Sequence, residues 1–94
     1  MMKFKGRRIV TYDNCKIGDL VVRGRDWRWG DQDIYEGKQM VGRIIDILKN
    51  SKWVRVEWGK QELGIQSDAY RVGEVEEKDT YDLVFYEKII IESL

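Results

Sequence analysis

The chain has 94 residues, with 17 Lys and Arg against 17 Asp and Glu, one cysteine and no histidine. That length makes one small domain, and the zero charge balance argues against a duplex-binding protein, which carries a basic surplus to neutralise phosphates. One cysteine excludes an internal disulfide, and the lack of histidine removes the commonest metal ligand and general base, so no cofactor, metal or catalytic group is expected.

No apolar run approaches the roughly 20 residues of a membrane span, so no membrane contact is expected. The charged start, Met-Met-Lys-Phe-Lys-Gly-Arg-Arg, is not a secretory signal. A cytoplasmic or nuclear setting is the expectation. The chain has four Trp, five Tyr and two Phe to fill a core. It has nine Gly and no Pro, so Gly, Asn and Asp must make its turns.

In chain order, residues 8–12 (Arg-Ile-Val-Thr-Tyr) read as a short strand. Lys3, Lys5, Arg7 and Arg8 make a small basic cluster, read as a solvated arm or as a contact for an anionic partner. Gly18 precedes the strand Leu20-Val21-Val22-Arg23 and suggests a tight turn at positive φ. Cys15 has no His beside it and reads as a packed thiol rather than a nucleophile.

Residues 23–33 form the densest stretch, with two Trp, three Arg and three Asp between glycines. Residues 33–39 read as a polar connection. Residues 40–48 read as a strand apolar on both faces, where Gly42 marks a bulge, a bend or a close backbone approach. After a turn at Lys49-Asn50-Ser51, residues 52–58 alternate cleanly. Val54, Val56 and Trp58 are assigned to the core, and Trp53 to the outer face.

A turn is expected at residues 59–62, a strand over 65–72 ending at Gly73, a solvated acidic loop over 74–80 and a strand over 81–86. Ile89-Ile90-Ile91 reads as a last apolar run, paired with the first strand or packed on the sheet. Five to seven short strands without helix argue an all-β fold, and closure into a small barrel removes exposed edges. The expected division is an arm over 1–16, a barrel over 17–86 and a strand or tail over 87–94.

The string Val21-Val22-Arg23-Gly24-Arg25-Asp26-Trp27-Arg28-Trp29-Gly30-Asp31-Gln32-Asp33 resembles the signature of the Mind bomb/Herc domain. Later blocks follow in order: Gly37, Val41-Gly42-Arg43-Ile44-Ile45, Trp53-Val54-Arg55-Val56-Glu57-Trp58, Tyr70-Arg71-Val72-Gly73 and Tyr81-Asp82-Leu83. The resemblance implies an SH3-like β-barrel, an accessory module of ubiquitin-protein ligases without catalysis of its own. In Mind bomb proteins such domains help to recognise cytoplasmic tails of Notch ligands. The chain is then a domain from a larger protein or a small stand-alone member. It departs from the pattern in four places. Arg25 stands where proline is usual, and Ile34-Tyr35 replaces a glycine pair. Gly59-Lys60-Gln61 replaces Asp-x-Gly, and the loop over 74–80 is longer than usual.

Trp and Arg are over-represented at binding hot spots, so Arg25, Trp27, Arg28, Trp29, Ile34 and Tyr35 are candidates for holding a peptide. The competing reading is that both Trp side chains pin the loop. Gly24, Asp26, Gly30, Asp31, Asp33, Tyr70 and Arg71 are candidates for structuring it, with the aspartates fixing turns and pairing with arginines. Tyr70 is placed at the core edge with its hydroxyl on a neighbouring loop, and Arg71 against Asp26 or Asp31. Asp26, Asp31 and Asp33 are too few oxygens for calcium. The expected function is recruitment of a protein or peptide for a ubiquitin ligase. The alternatives are a nucleic-acid barrel using the basic arm with Arg25 and Arg28, and an aromatic cage for methyl-lysine.

Overall fold

The computed structural model describes residues 8–48, 50–61 and 64–87. Eight strands run in chain order: β1 (Leu20–Arg23), β2 (Ile34–Tyr35), β3 (Lys38–Gln39), β4 (Gly42–Leu48), β5 (Trp53–Gln61), β6 (Gly64–Val75), β7 (Lys78–Tyr81) and β8 (Leu83–Phe85). Six of them form one antiparallel sheet in the order β7-β6-β5-β4-β1-β8, and β2 and β3 form a separate hairpin. The fold is all-β. The sequence predicts a sheet closed on itself. The ladders instead run from β7 to β8 without meeting, although Asp82 alone separates these two strands in the chain.

Alternation places the core where the sequence predicts it. Val54, Val56 and Trp58 are 0, 0 and 1% exposed, and Trp53 lies half-buried on the other face. Across the sheet, Val54 stands opposite Tyr70, whose side chain joins the same core with Val72, Ile44, Val21 and Leu83. Each such aliphatic side chain contributes about 1.5–3 kcal/mol on burial. Gly42 is a close-approach glycine, since a Cβ there meets Val56 Cγ1 at 2.4 Å and the Trp58 ring at 2.7 Å. The bulge sits further on, where the β4–β5 register shifts between Ile44 and Asp46. That extra residue explains why the strand reads as apolar on both faces. Gly18 does adopt a positive φ, 100°.

Several elements differ from expectation. Among the described residues eight strands stand where five to seven are expected, because two hairpins and a corner are not legible in the sequence. Residues 8–12 make only one bridge, Ile9 to Val84, with Val10 N–H bonding Leu83 O and Tyr12 N–H bonding Val72 O. The predicted turn at 59–62 is strand as far as Gln61, because Gly59 (φ 66°) absorbs a register break between Glu57 and Lys60. Gly73 does not end its strand. Residues 74–80 are no loop but the hairpin β6–β7, with Val75 opposite Lys78 and a two-residue turn, Glu76-Glu77, at φ 53° and 63°. Such turns ordinarily carry Asn-Gly, so the sequence gives no hairpin signal. Glu36-Gly37 makes the same kind of turn between β2 and β3. The strand expected over 81–86 breaks at Asp82. Lys49, the basic residues Lys3, Lys5 and Arg7, and the run Ile89-Ile90-Ile91 lie outside the described residues.

Candidate functional site

The stretch 23–33 is seated by buried charges. Gly24 N–H donates to Asp82 O at 2.6 Å, and a Cβ on Gly24 would meet Leu83 backbone atoms at 2.9 Å, so only glycine lets the two chains run this close. Asp26 then lies along β7. Its N–H donates to Tyr81 O (3.2 Å), and its Oδ2 accepts from Tyr81 N–H (2.7 Å). That bond holds the Asp26 carboxyl below its usual range. Asp33 is fully buried and takes the Arg23 guanidinium in a fork, with Nε to Oδ2 at 2.7 Å. This pairing raises the Arg23 pKa further.

The node of the site is Asp82, fully buried at the β7–β8 corner. Its carboxylate accepts from Arg71 Nε (2.9 Å), Arg71 Nη2 (2.6 Å), Arg71 N–H (2.8 Å) and Trp29 Nε1 (2.9 Å). Arg71 Nη2 also donates to Asp26 O at 3.1 Å. The expected Arg71 partners were the Asp26 or Asp31 carboxylates. The carboxylate that takes Arg71 is Asp82, because it lies across the sheet from Arg71 while Asp26 offers its carbonyl. The salt bridge raises the pKa of Arg71. A buried ion pair is tolerable only when its remaining lone pairs are met, and here a backbone N–H and an indole meet them. The available signal was a carboxylate inside the apolar run Tyr81-Asp82-Leu83-Val84-Phe85.

The two loop tryptophans bracket Tyr70. The Trp27 ring stacks on it at 5.1 Å, and Trp29 meets it edge-on at 6.0 Å. Tyr70 is fully buried rather than at the core edge, because both indoles and Trp58 enclose it. Its hydroxyl accepts from Trp58 Nε1 and donates to Gln32 Oε1, both at 2.7 Å, so it does bond the loop. Burial pushes its pKa well above the ordinary value. Gln32 was not singled out in the sequence. Trp27 and Trp29 are both half-buried against the core, and each indole N–H is used internally, Trp27 on Gly30 O at 3.0 Å. The outer-face Trp53 packs against Trp29 at 6.3 Å.

Beside this seated loop lies a cavity of about 320 Å³, lined by Asp26, Arg28, Trp53, Arg71 and the β6–β7 hairpin from Val75 to Thr80. Its floor is the outer sheet face. Arg28 is exposed, its guanidinium 5.3 Å from the Trp29 ring centre, and overhangs one side. Exposed Lys78, Glu76 and Asp79 supply charge of both signs on the other. A second cavity, between Tyr12, residues 50–52 and Glu74, lies on the far side of the same hairpin.

The profile of the Mib_herc2 family matches residues 18–87, most of the chain. The chain belongs to the Mib_herc2 family. It is 39% identical over 72 residues to the E3 ubiquitin-protein ligase HERC2 of Mus musculus, covering 77% of this chain. It is 35% identical over 82 residues to the E3 ubiquitin-protein ligase MIB2 of Gallus gallus, covering 81%, and 40% identical over 68 residues to the putative HERC2-like protein 3 of Homo sapiens, covering 72%. The matched parts are 1%, 8% and 5% of those proteins, so the chain corresponds to one small module of much longer relatives.

Within this Mib_herc2 module, the structure disperses the predicted contact residues. Arg28 lines the first cavity, whereas Arg25, Trp27, Trp29, Ile34 and Tyr35 do not. Arg25 is exposed, 3.3 Å from Asp26 Oδ2 and over the Tyr81 ring. Ile34 and Tyr35 are half-buried in the β2–β3 hairpin. Of the residues expected to structure the loop, Asp31 is exposed and contributes its carbonyl to Ile34 N–H, and Gly30 turns the chain at φ 59° and accepts from Trp27.

Proposed function

We propose that this Mib_herc2 module is a non-catalytic adaptor that holds a protein or peptide segment for a ubiquitin ligase, in the cytoplasm or nucleus. The observation that carries the reading is the cavity between the seated Trp-rich loop and the β6–β7 hairpin. Trp53 and Val75 give it apolar wall, while Arg28, Lys78, Glu76 and Asp79 ring it with mixed charge. A largely polar lining of both charge signs, with Trp53 and Val75 as its apolar part, suits a polypeptide segment of mixed character. Of the predicted contact residues, Arg28 is the one this reading keeps at the ligand. Trp27 and Trp29 act through the loop they seat. Kinship with the ligases HERC2 and MIB2 supports the ubiquitin setting. We also read the sheet as an SH3-like barrel over residues 17–86, since Asp82 joins its two edge strands and residues 24–26 lie against that corner.

Two rival readings find less support. Arg8 is paired with Glu87 and Arg25 with Asp26, so two of the cations that a nucleic-acid surface would use are engaged within the chain. Each of the two cavities has one aromatic side chain in its lining, Trp53 or Tyr12, where a methyl-lysine cage needs three. The test is selection from a display library of random dodecamer peptides, with binding mapped by amide chemical shifts. Shifts centred on Arg28, Trp53 and residues 75–80 are expected. Failure to enrich any peptide would sink the adaptor reading, and a nucleic-acid affinity that falls steeply with salt would put the nucleic-acid reading in its place.

A further inference from the structure

We propose that the partner segment adds to β7 as an extra strand, hydrogen-bonded to the main chain of Asp79. This deepens the adaptor reading and rests on it. The argument starts from register. Val75 and Lys78 flank a two-residue turn and so exchange both hydrogen bonds, as do Gly73 and Thr80 two residues on. Between them, Asp79 and Tyr81 occupy the positions whose N–H and C=O point away from β6.

For Tyr81 that outward direction is confirmed directly. Its N–H and C=O are taken by Asp26, through the Oδ2 atom and the backbone N–H. The chain then turns away, with Trp27 N–H closing onto Gly24 O, and stops pairing. Asp79 is the next outward position on the same edge, and no described residue pairs with its main chain beyond β6. The molecule thus begins a strand beside β7 with residues 24–26 and leaves the rest of that edge open, next to the cavity. A short exposed edge is a template for another chain.

Pleating then says which side chains of the visitor matter. A residue set opposite Asp79 directs its own side chain to the Asp79 face, and its neighbours direct theirs to the face of Lys78 and Thr80. That face is the cavity floor, with Trp53 and Val75 as its apolar part and Arg28 overhanging. The visitor is therefore an extended segment of a partner protein with an apolar side chain next to the paired residue and no proline at it.

The experiment uses a dodecamer enriched from the random library as probe. Asp79→Pro deletes the outward N–H without touching the β6 ladder, because the Asp79 N–H is not part of it. Glu74→Pro does the same on the opposite edge of the hairpin, facing the second cavity. Loss of about tenfold or more in affinity is expected for Asp79→Pro, and little change for Glu74→Pro. Amide exchange at Asp79 in the unmodified chain gives an answer independent of how Asp79→Pro folds. Its N–H exchanges fast when free and slows in the complex. Equal affinity for Asp79→Pro, or unaltered exchange at Asp79 with the dodecamer bound, overturns strand addition while leaving the adaptor reading standing. A library that enriches nothing overturns both.

Discussion

The Trp-rich loop and the β6–β7 hairpin face each other across one cavity, and they are built in opposite ways. The loop holds the conspicuous chemistry, yet most of it is consumed internally: Trp29 on Asp82, Trp27 on Gly30, Asp33 on Arg23 and Gln32 on Tyr70. The hairpin looks like an unremarkable acidic stretch, yet residues 76–79 are all exposed and its outer edge is only half paired. A residue type suited to binding is equally suited to bracing, because Trp and Arg bring large area and many donors to either task. What separates the two uses is whether the donors are already spent.

The comparison breaks most sharply at Asp82. Asp82→Asn leaves Arg71 buried without its counter-charge, and a loss of about 3–5 kcal/mol is expected by urea denaturation. A loss under 1 kcal/mol would mean that the loop is seated by aromatic packing instead. Next is Tyr70→Phe, which removes the hydroxyl that accepts from Trp58 Nε1 and donates to Gln32 Oε1. About 0.5–1.5 kcal/mol should disappear with the hydroxyl's two hydrogen bonds, with amide shifts spreading through residues 27–33.

The hairpin should respond with the opposite sign. Replacing Glu76-Glu77 by Asn-Gly relieves two side chains at positive φ, and a gain of about 1–2 kcal/mol is expected in thermal unfolding. If dodecamer binding weakens while stability rises, Glu76 belongs to the recognition surface. Arg28→Ala should leave stability within about 0.5 kcal/mol and lower dodecamer affinity, the reverse of the Asp82 pattern.

The smallest effect is at acid pH. The folded pKa of Asp26 lies below the ordinary carboxylate value, because the charged form accepts Tyr81 N–H. Its contribution is therefore complete above the unfolded pKa and fades as pH falls through the lower folded value. Asp26→Asn should flatten the stability profile in that acid limb and leave its slope at neutral pH unchanged.

The core was legible where alternation is strict, as at Val54, Val56 and Trp58. The corner at Asp82 was not, because a lone carboxylate in an apolar run does not say which arginine, 11 residues or more away, will meet it. The β6–β7 hairpin was hidden because its turn uses two glutamates in a conformation that asparagine and glycine favour. The loop motif itself pointed to the family, but its order carried no information on which side chains stay available. Direction of the unpaired main chain at Asp79 depends on register parity, which a shift by one residue would invert.

The bond from Trp29 to Asp82 also sets a clock. It joins positions 53 residues apart. During synthesis the first half of the module, loop included, leaves the ribosome while its anchoring carboxylate is still untranslated. Closing so long an interval is slow relative to hairpin formation, so β4–β5–β6 can form first and the loop seats last. A nascent chain stalled short of residue 82 should carry an open indole pair and bind hydrophobic-surface dyes, a state that vanishes once the corner emerges.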